Sequence, residues 1–420
     1  MEYSILRSIA KKYETPLYIY DGNALIKNFK KMKNLLNEDT DIYLSLKANP
    51  SLGVSSIFSN IGAGAEVASL GELKTALKAG FDNDRIIFSG PGKKKDELEY
   101  AIKKKIYCII AESLEEIQLI SEFSYKFNIK VNIGLRINPS FKNNTYTTLK
   151  MGGVPSQFGI EEHLINRCIG KILENTNMKF KGIHTYNGTQ VLNYEEVIDA
   201  MRHTFHLVEL IKNKFDLHCE FVDLGGGFGV KYFNNQKDFN FERFSIEFNK
   251  LVSEQKDSNP STRYILESGR FLLAPYGYYI TKVNYIKESK GKKFVIVDGG
   301  LNHHQASTFR GRFMRNNFPI DNLNGNQRNE LEKVSVVGPL CTPEDCIGND
   351  VILPKIDVGD YIVIKNSGAY GLTYSPIFFL SHESPYEVMY LGEHDYIIRD
   401  KIDYDRMIDE QHCITSKELR

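Results

Sequence analysis

The chain has 420 residues, 42% hydrophobic and 25% charged, close to the average of soluble globular proteins, which excludes a disordered, collagenous or low-complexity protein. Lys plus Arg total 53, as do Asp plus Glu, so there is no basic excess to drive binding to nucleic acid or an anionic membrane. No apolar stretch approaches the ~20 residues that span a bilayer, and residues 1–10 lack the apolar core of a secretory signal, so a cytoplasmic location is expected.

Short apolar runs rich in β-branched and aromatic residues recur along the first two thirds of the chain. They lie at residues 42–48, 63–69, 86–90, 108–112, 131–137, 182–186, 221–224 and 264–267. Segments with helical spacing separate most of them, among them residues 71–77, 97–102 and 194–211. Alternating strands and helices imply a parallel sheet, and eight such units match the ~250 residues of a closed (β/α)8 barrel. From about Phe271 the rhythm changes. Residues 278–286, 293–297, 334–337, 350–353, 361–365 and 386–391 read as strands with few helices between them, followed by a final strand and tail from Tyr396. The expected organisation is a segment 1–25 that joins a β-domain through a strand at 17–20, a barrel at 26–270, and an all-β domain at 271–420.

A barrel should gather its functional residues at the C-terminal ends of its strands. Lys47 ends the first run, Glu66 lies in the second, Arg136 ends the fifth, His184 and Tyr186 the sixth, and Glu267 with Arg270 the eighth. A lysine at such a place is either salt-bridged or desolvated enough to condense with a carbonyl. Gly225, Gly226 and Gly227 follow the seventh strand and would let backbone amides approach an anion, although the run lacks the spacing of a dinucleotide fold. Glu267-Ser268-Gly269-Arg270 is either a strand-end ion pair or a carboxylate placed to keep a pyridine nitrogen protonated. Cys341, between a Gly-Pro turn and two acidic residues, could donate a proton or pack as a small hydrophobe. Tyr370 stands in a small-residue turn, where its hydroxyl could reach a phosphate or a substrate. The six cysteines are scattered, without a CxxC pair or zinc-type cluster, so neither a disulfide framework nor a metal is expected.

Taken in order, these segments resemble the fold type III, alanine-racemase-like pyridoxal-phosphate decarboxylases, the family of the diaminopimelate, ornithine and arginine enzymes. The resemblance runs from about Thr15 to Leu380. It implies pyridoxal phosphate on Lys47, with Glu66, Arg136, His184, Tyr186, Thr189 and Gly269 around it. Gly225, Gly226, Gly227, Arg270 and Tyr370 would hold the phosphate, and Glu267 the ring nitrogen. It also implies a head-to-tail homodimer with shared active sites, in which Cys341 protonates Cα.

Two departures bear on the substrate. The family's second histidine in HxHxGSQ is replaced here by Tyr186, whose ring can stack but cannot carry an imidazolium charge. Diamino-acid decarboxylases place an acidic residue directly after the loop cysteine, where it meets the distal ammonium; here that residue is Thr342. A charge-assisted contact is worth ~1.5 to 3 kcal/mol, so the sequence leans away from diamino acids unless Glu344 or Asp345 substitutes. Segments such as Tyr43-Leu44-Ser45-Leu46-Lys47-Ala48-Asn49, Lys150-Met151-Gly152-Gly153-Val154-Pro155 and Ala306-Ser307-Thr308-Phe309-Arg310-Gly311-Arg312 are similar to the branch acting on glutamyl groups carried by an acyl carrier protein in antibiotic pathways. That implies an acyl carrier protein as partner, with Arg310, Arg312, Thr342 and Tyr370 facing the substrate. Decarboxylation of a free diamino acid (diaminopimelate or ornithine) or of a siderophore precursor is the alternative.

Overall fold

The computed structural model describes residues 1–140, 155–186, 188–256, 260–308, 316–325, 328–414 and 418. The chain divides into two compact units. One comprises Ala24–Lys231 with Asn235–Leu273, the other Met1–Asn23, Tyr232–Asn234 and Ala274–Arg420.

The chain opens, in the second of these units, with a helix (Tyr3–Tyr13) and a strand, β1 (Leu17–Asp21). The first unit follows as a closed parallel barrel. Its strands are β2 (Thr40–Ser45), β3 (Gly64–Val67), β4 (Ile86–Phe88), β5 (Cys108–Ala111), β6 (Val131–Asn138), β8 (Met178–Thr185), β9 (Phe221–Asp223) and β10 (Arg263–Ser268), with the two-residue β7 (Ile160–Glu161) added beside β6. Pairing of β5 with β6 and of β10 with β2 closes the ring. All eight runs expected to be strands are strands of this barrel. They were legible because strands buried on both faces read as near-continuous apolar runs.

Tyr43, Ile87, Cys108, Ile110, Phe221 and Ile265 fill part of the interior. Helices such as Leu70–Lys78, Lys95–Lys104 and Tyr194–Phe215 connect the strands. Two of the three start with a side-chain cap: Ser69 accepts from the Glu72 N–H and Asn193 from the Glu195 N–H.

The other unit is built on antiparallel and mixed pairings, in the order β15-β14-β12-β11-β1-β17-β18, with β16 joining β11 to β13. Its later strands are β11 (Gly277–Ser289), β12 (Lys292–Val297), β13 (Ile320–Asn322), β14 (Leu331–Val337), β15 (Cys346–Pro354), β16 (Tyr361–Ile364), β17 (Tyr386–Leu391) and β18 (His394–Arg399). β1 lies between β11, antiparallel, and β17, parallel.

Two details differ from the sequence reading. The first residues form a helix whose Leu6, Ile9 and Ala10 are buried against Leu17, Ile19, Ile280 and Val388, at the i, i+3, i+4 spacing of an amphipathic stripe. The residues after the last strand add a second short helix, Tyr404–Asp409, capped by the Asp403 side chain.

Candidate active site

The C-terminal ends of the barrel strands converge on a cluster of buried ionisable groups. Lys47 sits two residues beyond β2, in the short turn Leu46–Ala48, rather than in the strand itself. Its Nζ lies 3.4 Å from Glu66 Oε2 at the end of β3, and 5.2 Å from the centre of the Tyr186 ring. Glu66 is buried, and it accepts a hydrogen bond from the Ser89 hydroxyl. Burial opposes its ionisation, but the Lys47 charge, the Ser89 and Ser45 hydroxyls and Arg136 outweigh that and hold its carboxyl below the usual range.

Arg136, near the end of β6, pairs with Glu112 at 3.0 Å. Its guanidinium lies 4.8 Å from the Phe158 ring centre and 5.9 Å from that of Tyr186. Glu112, which the sequence reading passed over, also accepts from the N–H groups of Gly90 (2.7 Å) and Gly159 (3.0 Å). It thereby orients Arg136 and ties together three strand ends.

The centre of the cluster is acidic. His184 Nε2 at the end of β8 lies 3.5 Å from Glu267 Oε1 on β10, and both side chains are 2% exposed, too little for water to satisfy them. Neither Glu267 oxygen has a hydrogen-bond partner of ordinary geometry among the described residues. Burial pushes its carboxyl well above the ordinary range, and the charges of Glu66 and Asp223 push the same way. Burial likewise drives His184 well below its usual value, helped by Arg136 and Lys47. Burial therefore disfavours the charged form of both partners of the His184–Glu267 contact.

The glycine run follows β9 directly. Gly225 and Gly227 have φ of +62° and +84°, in the left-handed region that favours glycine. A β-carbon on Gly226 would strike the carbonyl of Glu267, and one on Gly227 the carbonyl of Gly188, beside Thr189. Phe228 locks the turn from behind, with ring centres of Phe239 and Phe244 at 5.3 and 5.0 Å. Gly269 is equally confined: a β-carbon there would stand 2.6 Å from that of Ala48. Arg270 opens the short helix Arg270–Leu273 after β10.

Asp223 was missed by the sequence reading. It ends β9, is fully buried, and accepts the Gly225 N–H at 2.9 Å. The signal was present in Asp223-Leu224-Gly225, a carboxylate closing an apolar strand.

Lys47, Glu66, Arg136, His184, Tyr186, Thr189, the three glycines, Glu267, Gly269 and Arg270 therefore all belong to the barrel unit, whereas Cys341, Thr342 and Tyr370 belong to the β-rich unit. Cys341 is exposed on a tight loop. Asp345 organises that loop, accepting the N–H of Leu301 (2.6 Å) on one oxygen and of Leu340 (2.8 Å) on the other. Asp345 is thus turned into the fold and does not substitute for an acidic residue at position 342. Tyr370 has a left-handed backbone, φ +54°. Arg310 and Arg312 lie outside the described residues.

Residues 23–274 match the family model of the pyridoxal-dependent decarboxylase, pyridoxal binding domain. The chain belongs to the pyridoxal-dependent decarboxylases. It is 46% identical to the L-glutamyl-[BtrI acyl-carrier protein] decarboxylase of Niallia circulans, over 91% of this chain and 90% of that one. It is 32% identical to the 2-[(L-alanin-3-ylcarbamoyl)methyl]-2-hydroxybutanedioate decarboxylase of Staphylococcus aureus, over 90% and 94%. The crystal structure of diaminopimelate decarboxylase from Methanocaldococcus jannaschii superposes with a TM-score of 0.89 at 28% identity, covering 98% of this chain and 95% of that one.

This decarboxylase uses pyridoxal phosphate, and its barrel site suits that group on two observations. A buried carboxylate, Glu267, meets no donor of ordinary hydrogen-bond geometry among the described residues, as a group facing a ring N–H would. The glycine turn has no room for side chains and exposes only backbone, as a phosphate cradle requires.

Proposed function

We propose that this enzyme removes the α-carboxylate from a γ-L-glutamyl group carried on an acyl carrier protein, leaving a 4-aminobutyryl group, within antibiotic-type biosynthesis. The observation that carries this reading is the 46% identity, over nine tenths of both chains, to a decarboxylase named for that substrate. Thr342 supports it, because no carboxylate directly follows Cys341 to meet a distal ammonium, and Asp345, committed to backbone N–H groups, does not take that place.

Pyridoxal phosphate supplies the electron sink for the pair left at Cα when carbon dioxide departs. Lys47 would hold the group through its side-chain amine. Gly225, Gly226, Gly227, Arg270 and Tyr370 would hold its phosphate, Glu267 would face its ring nitrogen, and Tyr186 would line its ring. Glu66, Arg136, His184, Thr189 and Gly269 complete the walls. Cys341 delivers the proton that replaces the carboxylate at Cα, acting across a head-to-tail homodimer. The reaction requires a free α-amino and a free α-carboxylate, so the glutamyl group is carried through its side-chain carboxyl. Arg310 and Arg312 offer the positive charge to meet an acidic carrier. The enzyme works in the cytoplasm, in keeping with the lack of any helix among the described residues that is long and apolar enough to cross a membrane.

Intact mass spectrometry of a glutamyl-loaded carrier protein, incubated with the holoenzyme, tests this. Loss of one carbon dioxide from the loaded carrier is expected, with free glutamate, ornithine and diaminopimelate unchanged. Turnover of a free diamino acid with the carrier untouched would overturn the reading.

A further inference from the structure

Asp223 has no part in the roles above, yet no carboxylate of the barrel is more deeply enclosed. Its side chain is fully buried. One oxygen accepts the N–H of Gly225 at 2.9 Å, at the first residue of the glycine turn. The other meets no partner of ordinary hydrogen-bond geometry among the described residues, and the Asp223 side chain lies against the Glu267 carboxyl. Asp223, Glu267 and His184 each present a ligand atom within 4.8 Å of the other two.

We propose that Asp223 is a positioning residue that joins the glycine turn to Glu267 in one buried acid pair, so that the pair, not Glu267 alone, answers the positive charge of a protonated pyridine ring. The proposal rests on the reading of Glu267 as the partner of the ring nitrogen.

The surroundings of Asp223 leave it few other roles. The groups that face the pair are Tyr43 on β2 and Lys47 just beyond it, Glu66 on β3, Cys108 on β5, Arg136 on β6 and His184 on β8. Tyr43 and Cys108 are buried and driven upward by burial, so they stay neutral. Lys47 is already paired with Glu66, and Arg136 with Glu112. His184 is held neutral. Burial, with the Glu66 charge adding to it and the Gly225 N–H, a hydrogen bond with Glu267 and the Lys47 charge opposing it, pushes Asp223 up to about 7. Two carboxyls this close, without a cation of their own, cannot both ionise. A positive ring N–H at Glu267 removes that restriction, and the second negative charge then retains the ring proton to higher pH. The hydrogen bond to Gly225 couples this charge to the turn that receives the phosphate.

The test is pyridoxal phosphate affinity, followed by absorbance from acid to alkaline pH, in wild type, Asp223→Asn and Glu267→Gln. Asparagine keeps an oxygen for the Gly225 N–H but cannot carry charge. The alkaline limb of the affinity profile should move down by about one pH unit in Asp223→Asn, weakening binding about tenfold above neutrality while leaving it near wild type in acid. A loss by the same factor at every pH, or a profile that superposes on wild type while Glu267→Gln changes it, would overturn the proposal and leave Asp223 as a turn-holding residue. An unchanged profile in both variants would instead remove Glu267 from the ring nitrogen, and the proposal with it. If Asp223→Asn does not fold, Asp223→Ser, whose hydroxyl also accepts from an N–H two residues on, gives the same readout.

Discussion

Two buried carboxylates of the barrel, Glu267 and Asp223, differ from those of the β-rich unit in how they are satisfied. In the β-rich unit Asp345 has one backbone N–H on each oxygen. Glu387, fully buried, accepts from the Tyr20 hydroxyl at 2.5 Å and from Arg399. Asp360 accepts from Arg328, from Asn322 at 3.1 Å and from its own turn, the Asp357 N–H, at 2.9 Å. In the barrel, neither oxygen of Glu267 and only one oxygen of Asp223 meets a partner of ordinary hydrogen-bond geometry among the described residues. A carboxylate that serves only the fold is satisfied by the fold, since an unmet buried charge costs stability. One left unmet, at the strand ends where barrels place chemistry, is set aside for a group that the protein must bind.

The strongest way to break the contrast is at the barrel site. Lys47→Ala should abolish turnover of the loaded carrier and the visible absorbance of the bound cofactor, while far-ultraviolet circular dichroism stays unchanged; retained absorbance would move the attachment to another lysine. Cys341→Ala comes next. The side chain is exposed, so its loss should leave melting and cofactor affinity as they are. Single-turnover product formation should fall by about 10²- to 10⁴-fold, the usual share of a positioned proton donor.

Much of this was readable in the sequence, and for a physical reason. Parallel strands buried on both faces leave uninterrupted apolar runs, and a polar residue that ends such a run has to be explained, which is how Lys47, Glu66, Arg136, His184 and Glu267 stood out. What escaped depended on contacts the sequence does not order. Asp223 ended its strand by the same rule but was overshadowed by the glycines beside it. Glu112 became informative only once Arg136, Gly90 and Gly159 were seen around it. The helix Tyr3–Tyr13 was missed because its apolar stripe, Leu6, Ile9 and Ala10, is interrupted by polar residues and lies just before the more conspicuous strand β1. The inward turn of Asp345 depends on Leu301, which is distant in sequence.

In the β-rich unit, removing a satisfied acid should be costly. Asp345→Ala strands the N–H groups of Leu301 and Leu340 and opens space where Gly300 and Gly338 now pack against the carboxylate. A loss of about 3 kcal/mol is expected, measurable by urea denaturation, with Asp345→Asn intermediate because its amide oxygen still accepts one N–H.

The smallest effect carries the opposite sign and is therefore the sharpest probe. Burial and neighbouring acids raise the Glu267 carboxyl in the folded chain above its unfolded value, so the folded state binds more protons through that interval. Stability of the cofactor-free protein then falls as pH rises from the unfolded value, near 4, toward the folded one. Glu267→Gln removes the titration. Without cofactor, the variant should melt higher than wild type at about pH 8, by roughly 1 kcal/mol of stability, and the gap should close on acidification toward about pH 4. Should Glu267→Gln destabilise the cofactor-free protein at alkaline pH as Asp345→Asn does, Glu267 would be a structural acid, and the distinction between the two units would fail at the residue on which it most depends.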